Sequence, residues 1–221
     1  MKEKDFIYIE FTGKAKDTGE IFDTTDEETA KKADLYTDKV SYGAVPIIIG
    51  GNQVIPGLEE VLKEMQIGES RKVDIPPEKA FGERSSEMVH LMSMSLFKEK
   101  DMTPEIGKTV NMNGIPGKIV SIDGGRVKID FNHPLAGKTI EYDVKITGEI
   151  ADTLEKVQSV VRYFTGLKSE EFTTEMKENE VTVSIKKFDL PRNVKKNMAD
   201  TILKWVDGIK KVVFADIFES S

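Results

Sequence analysis

The side chains available for chemistry in this chain are few: no cysteine and two histidines, His90 and His133, among 221 residues. The lack of cysteine excludes disulfides, thiolate catalysis and cysteine-based zinc sites. A histidine with no second ligand at a fixed spacing reads as structural, so neither a metal nor another cofactor is expected. The segments that stand out combine apolar and aromatic residues with carboxylates and several glycines. They are Thr18-Gly19-Glu20-Ile21-Phe22-Asp23, Gly50-Gly51-Asn52-Gln53-Val54-Ile55-Pro56-Gly57-Leu58-Glu59-Glu60 and Ala80-Phe81-Gly82-Glu83. Taken singly, their residues have plain readings. Phe11, Phe22, Phe81 and Tyr142 suit the interior of a barrel, and Asp23 suits a turn.

The elements that must position these residues follow from pattern. Residues 6–12 are β-branched and aromatic and read as a strand, Asp17 to Glu20 as a turn, and Glu20 to Thr24 as the next strand. Glu27 to Ala33 supply a helical turn in a longer connection. Ile47-Ile48-Ile49 is a buried strand ending at Gly50-Gly51. Pro56 opens a helix, with Leu58, Val61, Leu62 and Met65 spaced to share one face. Ser70 to Ile75 returns as a strand, and Pro76 to Gly82 is a loop.

From Glu83 the character changes. Residues 84–130 hold five of the nine methionines (Met88, Met92, Met94, Met102 and Met112) and then turn strand-rich at 109–112, 118–122 and 126–131. Residues 132–138 form a second loop and 139–146 alternate as a strand. Beyond Gly148, Thr153 to Phe164 reads as a helix capped by Asp152 or Thr153. Phe172 to Met176 and Val181 to Lys187 read as a hairpin, Pro191 to Val206 as a helix, and Val212 to Phe218 as a last strand.

Charge supports the same division. The chain carries a formal net charge of −7 and a pI near 5.1. Residues 151–221 balance at 12 basic and 12 acidic, so residues 1–150 carry the whole excess. An acidic surface disfavours nucleic acid and anionic lipid as partners. No apolar run is long enough for a membrane span, and the polar start Met1-Lys2-Glu3-Lys4-Asp5 lacks the apolar core of a signal peptide. A cytoplasmic location is expected.

Read together, the three segments resemble the FKBP family of peptidyl-prolyl cis-trans isomerases, over roughly residues 4–83 and 131–147. By that resemblance Phe11, in Phe11-Thr12-Gly13, matches an aromatic wall that is usually tyrosine. Phe22-Asp23 matches the aromatic and carboxylate pair of the pocket, and Val54-Ile55 the apolar turn. Leu58 sits where many members place tryptophan. Ala80-Phe81-Gly82 stands where Ala-Tyr-Gly is usual, and Tyr142 matches the aromatic of the closing strand. The resemblance adds Val45, His133, Leu135, Met88, Met92 and Met94 as candidate substrate-binding residues.

The implied reaction is rotation about an X-Pro bond, over an amide barrier of about 18–20 kcal/mol that takes tens to hundreds of seconds unaided. The twisted transition state is less polar than the planar amide. A water-poor pocket that grips the proline ring therefore binds the twisted form better than the flat one.

The segment Asp130-Phe131-Asn132-His133-Pro134-Leu135-Ala136-Gly137-Lys138 resembles the re-entry loop of the SlyD-like branch. Members of that branch carry an insert-in-flap domain that binds unfolded chains. The 151–221 region resembles the C-terminal domain of archaeal long-type FKBPs, where it is linked to dimerisation. The implied fold class is α+β. An FKBP-like antiparallel half-barrel around one helix spans 1–83 and 131–150, an inserted small β domain spans 84–130, and a separate C-terminal α+β domain spans 151–221. The implied partners are unfolded or nascent proline-containing polypeptides, with a homodimer through 151–221. The losses at positions 58 and 81 motivate an alternative, a holdase or docking scaffold with a weak or degenerate pocket.

Overall fold

A computed structural model describes residues 1–38, 40–185 and 189–215. The chain divides into two compact units, Met1–Asp74 with the chain from Glu141 onward, and Ile75–Ile140 between them in sequence.

The first unit contains β1 (Phe6–Ala15), β2 (Ile21–Thr24), α1 (Glu27–Lys32), β3 (Val45–Ile48), α2 (Pro56–Glu64), β4 (Ser70–Ile75) and β9 (Ile140–Glu149). The strands form one five-stranded sheet in the order β2-β1-β9-β4, with β3 also paired to β1. Burial alternates along β1 and β9. Ile7, Ile9, Val144 and Ile146 are fully buried, as are Leu58 and Leu62 of α2. This is the period expected of a sheet with one dry face.

The residues of β1 that point the other way change character along the strand. Phe6 and Tyr8 are aromatic, whereas Glu10, Thr12 and Lys14 are polar. The aromatic half is covered by the C-terminal region, which comprises α4 (Thr153–Thr165), β10 (Phe172–Lys177), β11 (Glu180–Ile185), α5 (Arg192–Trp205) and β12 (Lys211–Ala215). Strands β10 and β11 are an antiparallel hairpin, and β12 pairs parallel to β11 after the crossover helix α5. Asp152 caps α4 by accepting from the Glu155 amide at 2.8 Å, and Gly166 ends the helix in the left-handed region. Lys186 and Lys187 of the expected hairpin strand, and residues 216–218 of the expected last strand, lie outside the described residues.

Sequence charge sets 151–221 apart as a separate domain. In the structure its core is continuous with the sheet. Phe6 and Ile48 pack in one cluster with Ile150, Val157, Val161, Val183, Ile202 and Trp205. Arg162 donates to the Tyr8 hydroxyl at 2.8 Å, and that hydroxyl donates to Glu155 at 3.1 Å. Net charge reports the solvated surface and carries no information about which apolar faces meet.

The second unit contains β5 (Val89–Ser93), α3 (Met94–Glu99), β6 (Thr109–Met112), β7 (Ile115–Asp123) and β8 (Arg126–Asp130), with the sheet order β5-β8-β7-β6. Phe97, Val110, Met112, Ile119, Val127 and Ile129 form its small core. Strand β5 and helix α3 are absent from the sequence reading; α3 has six residues and rests on a Ser93 cap rather than on a long apolar period. The unit is wider than residues 84–130 because its two flanking loops bond to each other. The Gly137 amide donates to the Gly82 carbonyl at 2.8 Å, and Asn132 bonds both backbone groups of Ser85 at 2.9 Å.

Phe6 is buried at the junction of sheet and C-terminal region, so Phe6→Ala should cost about 3–5 kcal/mol, typical of a buried phenylalanine truncation. Urea denaturation of the full chain reads this directly. A loss below 1 kcal/mol, roughly the surface range, would show that the two regions do not share a core.

Candidate active site

Strand β2 pairs with β1 through Thr24↔Thr12 and Asp23↔Gly13, then slips, so that Ile21 faces Lys14 and Phe22 is the extra residue of a bulge. A bulge re-aims a side chain that regular pairing would send to the opposite face. The Phe22 ring accordingly reaches Tyr142 of β9, at a centroid separation of 6.0 Å and an interplanar angle of 89°. Phe11 of β1 meets the same tyrosine at 5.8 Å and 62°. Both are edge-to-face contacts, which complement the ring quadrupoles. Tyr142 is 5% exposed, and Phe11 and Phe22 are half-buried.

Two threonines hold this corner. The Phe11 amide donates to Thr25 Oγ1 at 2.9 Å, and the Thr25 amide donates to the Phe11 carbonyl at 2.9 Å. Thr12 and Thr24 share a hydroxyl bond at 2.8 Å. Both Thr24 and Thr25 are buried, so their hydroxyls need these partners. The sequence reading passes over the pair, although two adjacent threonines after Phe22-Asp23 are a visible signal.

Asp23 lies at the rim and is exposed as a residue. The protein atoms crowded about its carboxyl nevertheless raise its pKa above the usual carboxylate value, against a smaller opposing effect of the Thr24 amide that donates to it. Burial pushes the Tyr142 phenol well up, and the charge of Asp23 pushes it further. The phenol therefore stays protonated throughout the neutral range.

The Gly50-Gly51-Asn52-Gln53 turn delivers the next candidates. Gly50 has φ +91°, and Asn52, at φ +52°, is also left-handed. The Gly50 amide donates to Glu59 Oε1 at 2.9 Å, and the Ile48 amide donates to Gln53 Oε1 at 2.7 Å. Val54 and Ile55 follow, half-buried, with Ile55 as the N-cap of α2. Leu58 is fully buried one turn on. Val45, half-buried, opens β3 opposite Ile9.

The remaining candidates belong to the second unit. Ala80 and Phe81 follow a short 3-10 turn, and Phe81 stacks on His133 at 4.6 Å with the rings 2° from parallel. The Leu135 amide donates to His133 Nδ1 at 3.2 Å, which leaves the ring proton on Nε2 in the neutral form. Met88 is exposed, while Met92 and Met94 are half-buried against the small core and Met112 is within it. Leu91, Ile106, Ile115 and Val120 are exposed apolar residues of this unit that the sequence reading does not single out.

A cavity of about 700 Å³ opens on the first unit, lined by Phe11, Ile21 and Tyr42 together with Glu10, Lys14, Lys72, Glu141 and Asp143. Glu141 is held there by Lys14 at 2.7 Å and Lys72 at 2.9 Å, which lower its pKa. The cavity lining mixes these charges with apolar surface. Among the described residues no three histidine or carboxylate side chains converge as metal ligands, and no helix is long and apolar enough to cross a membrane.

Comparison with known proteins decides the family. A short-type peptidyl-prolyl cis-trans isomerase of Methanocaldococcus jannaschii is 32% identical over 146 residues, which cover 66% of this chain and 92% of the relative. The chain belongs to the FKBP-type peptidyl-prolyl cis-trans isomerases. A probable FKBP-type 16 kDa isomerase of Pseudomonas fluorescens is 37% identical over 103 residues, 44% of this chain and 67% of the relative. The FKBP-type isomerase SlyD of Helicobacter pylori is 34% identical over 120 residues, 52% of this chain and 64% of the relative. The family model of the FKBP26 IF domain matches residues 90–135. This FKBP is therefore an enzyme, and its α+β architecture of antiparallel sheets and helices is consistent with the FKBP fold.

The raised pKa of Asp23 has a consequence for stability. A carboxyl that holds its proton more tightly when folded loses stability as pH rises past the unfolded value of 3.8 and through the folded one. Asp23→Asn should therefore melt higher than wild type at neutral pH, with the difference closing as pH falls below the ordinary carboxylate range. A difference independent of pH would mean that the carboxylate is fully hydrated.

Proposed function

We propose that this FKBP isomerises X-Pro bonds of unfolded protein chains at the Phe11, Phe22, Asp23 and Tyr142 cluster. Val54, Ile55 and Leu58 supply apolar wall and floor. The observation that carries the reading is the meeting of Phe11 and Phe22 edge-on at a buried Tyr142. Aromatic walls with little water favour the less polar twisted imide over its planar forms, and a proline ring fills an aromatic cleft without needing a charge partner. Asp23, poorly hydrated at the rim, is the oriented polar group. No metal or cofactor takes part. Ala80, Phe81, Val45, His133 and Leu135 are secondary binding candidates.

The second unit is the client-holding part. Its support is the match of residues 90–135 to an IF domain and the exposed apolar side chains Met88, Leu91, Ile106, Ile115 and Val120. A weakly held client is tethered to the same chain as the isomerase cluster, which raises the effective concentration of its proline bonds there. The C-terminal region assembles subunits, and the protein works in the cytoplasm without ATP. A holdase with a degenerate pocket is the competing reading, favoured by leucine at position 58 and phenylalanine at position 81.

A protease-free proline-tetrapeptide assay separates the two readings. Asp23→Ala and Tyr142→Ala should each lower kcat/KM by about tenfold or more, equivalent to about 1.4 kcal/mol of transition-state stabilisation, while suppression of aggregation persists. Wild-type rates in both variants would remove these residues from the site, and no acceleration by wild-type protein would favour the holdase. Replacing residues 84–130 by a short linker should spare tetrapeptide turnover and slow catalysed protein refolding. Unchanged refolding would refute delivery by the insert.

A further inference from the structure

We propose that Gly13 is a positioning residue for isomerisation: its missing side chain, opposite the bulge of β2, is what allows Phe22 and Tyr142 to meet. The proposal rests on the reading of that cluster as the pocket. Gly13 lies inside β1, is buried, and does not have a positive φ. Its backbone therefore has no need of glycine, which weakens a strand interior. Space explains it instead. A Cβ built on Gly13 would lie 2.8 Å from Phe22 Cζ, 2.9 Å from Tyr142 Cε1 and 3.1 Å from Tyr142 Cζ. Two rings thus close over one length of bare backbone.

Neither ring has an easy retreat. Tyr142 is buried and meets Phe11 as well as Phe22. Phe22 is the extra residue between two fixed pairs, Asp23↔Gly13 and Ile21↔Lys14, so with its backbone held there its ring yields only by turning away from Tyr142. An added methyl group therefore drives the ring tip of Phe22 and the edge of Tyr142 apart. It alters the width of the aromatic corner while removing no group that touches substrate. Gly148 on β9 is the natural control, because a Cβ there meets nothing within 4 Å.

The test is kcat/KM on a proline tetrapeptide for the full-length wild type, Gly13→Ala, Phe22→Leu, the double variant and Gly148→Ala. Gly13→Ala should lose about tenfold, and Gly148→Ala should match wild type. Leucine has no Cζ and leaves room into which the Tyr142 edge can yield, so adding Gly13→Ala to Phe22→Leu should cost about twofold or less, a non-additivity that general destabilisation does not produce. A wild-type rate for Gly13→Ala, or the same fold-loss with Phe22 or Leu at that position, overturns the proposal. A wild-type rate for Phe22→Leu instead overturns the pocket assignment, and the proposal with it. Should Gly13→Ala not fold, isotope-labelled wild type titrated with the tetrapeptide still decides. The Gly13 amide resonance should shift saturably while that of Gly148 stays fixed, and an unmoved Gly13 resonance overturns the proposal.

Discussion

Three aromatic rings converge in the first unit because β1 offers them a stretch of backbone without a side chain. At Gly13 the edges of Phe22 and Tyr142 come within van der Waals reach of the strand itself. The rest of the corner follows from that closeness. Tyr142 can be buried because aromatic edges surround it, and its burial keeps the phenol neutral. Asp23, one residue from the bulge, stands where water is scarce enough to disfavour its charge. The paired threonines at 24 and 25 fix the backbone of Phe11 ahead of the bulge. Such a corner differs from water in polarity rather than in reactivity, which is the property that rotation about an amide bond responds to.

The opposite face of the same sheet is divided between two environments. Phe6 and Tyr8 meet α4 and α5, with Arg162 and Glu155 holding the Tyr8 hydroxyl at the boundary. Farther along the strand, Lys14 and Lys72 flank Glu141, whose side chain is largely covered. None of these three belongs to the C-terminal region, so the apolar half provides most of what joins that region to the sheet. The outward residues of β1 mark the footprint of that region, and they mark it in the order in which they occur in the chain.

Much of this architecture is legible in sequence, wherever period or turn chemistry is strong. The α2 face, the Asp152 cap, the Gly50-Gly51 turn and the hairpin about Glu178-Asn179 are all local signals, and the structure agrees with each. The aromatic corner is legible only in part. Phe11, Phe22 and Tyr142 are picked out by resemblance, but the bulge that brings Phe22 to the tyrosine leaves no mark in a four-residue strand. The small elements are missed because α3 spans fewer than two helical turns and burial along β5 does not alternate. The continuity of the C-terminal region with the sheet is missed because shared burial is a long-range fact. Its only trace is the aromatic outward side of β1, which a single-strand reading assigns to no partner.

Strand β9 lies between β1 and β4 in the sheet, yet it follows the whole second unit in sequence. During synthesis, therefore, the first 74 residues emerge with two strand edges waiting for a neighbour that does not yet exist. The intervening segment has a core of its own, built from residues 97–129, and its sheet borrows no strand from the first unit. The nascent protein thus passes through a stage in which every strand of the insert's sheet has been made and the sheet of the first unit still lacks β9. Its open edges during that interval are the kind of surface on which chains aggregate, and only the arrival of residues 140–149 closes them.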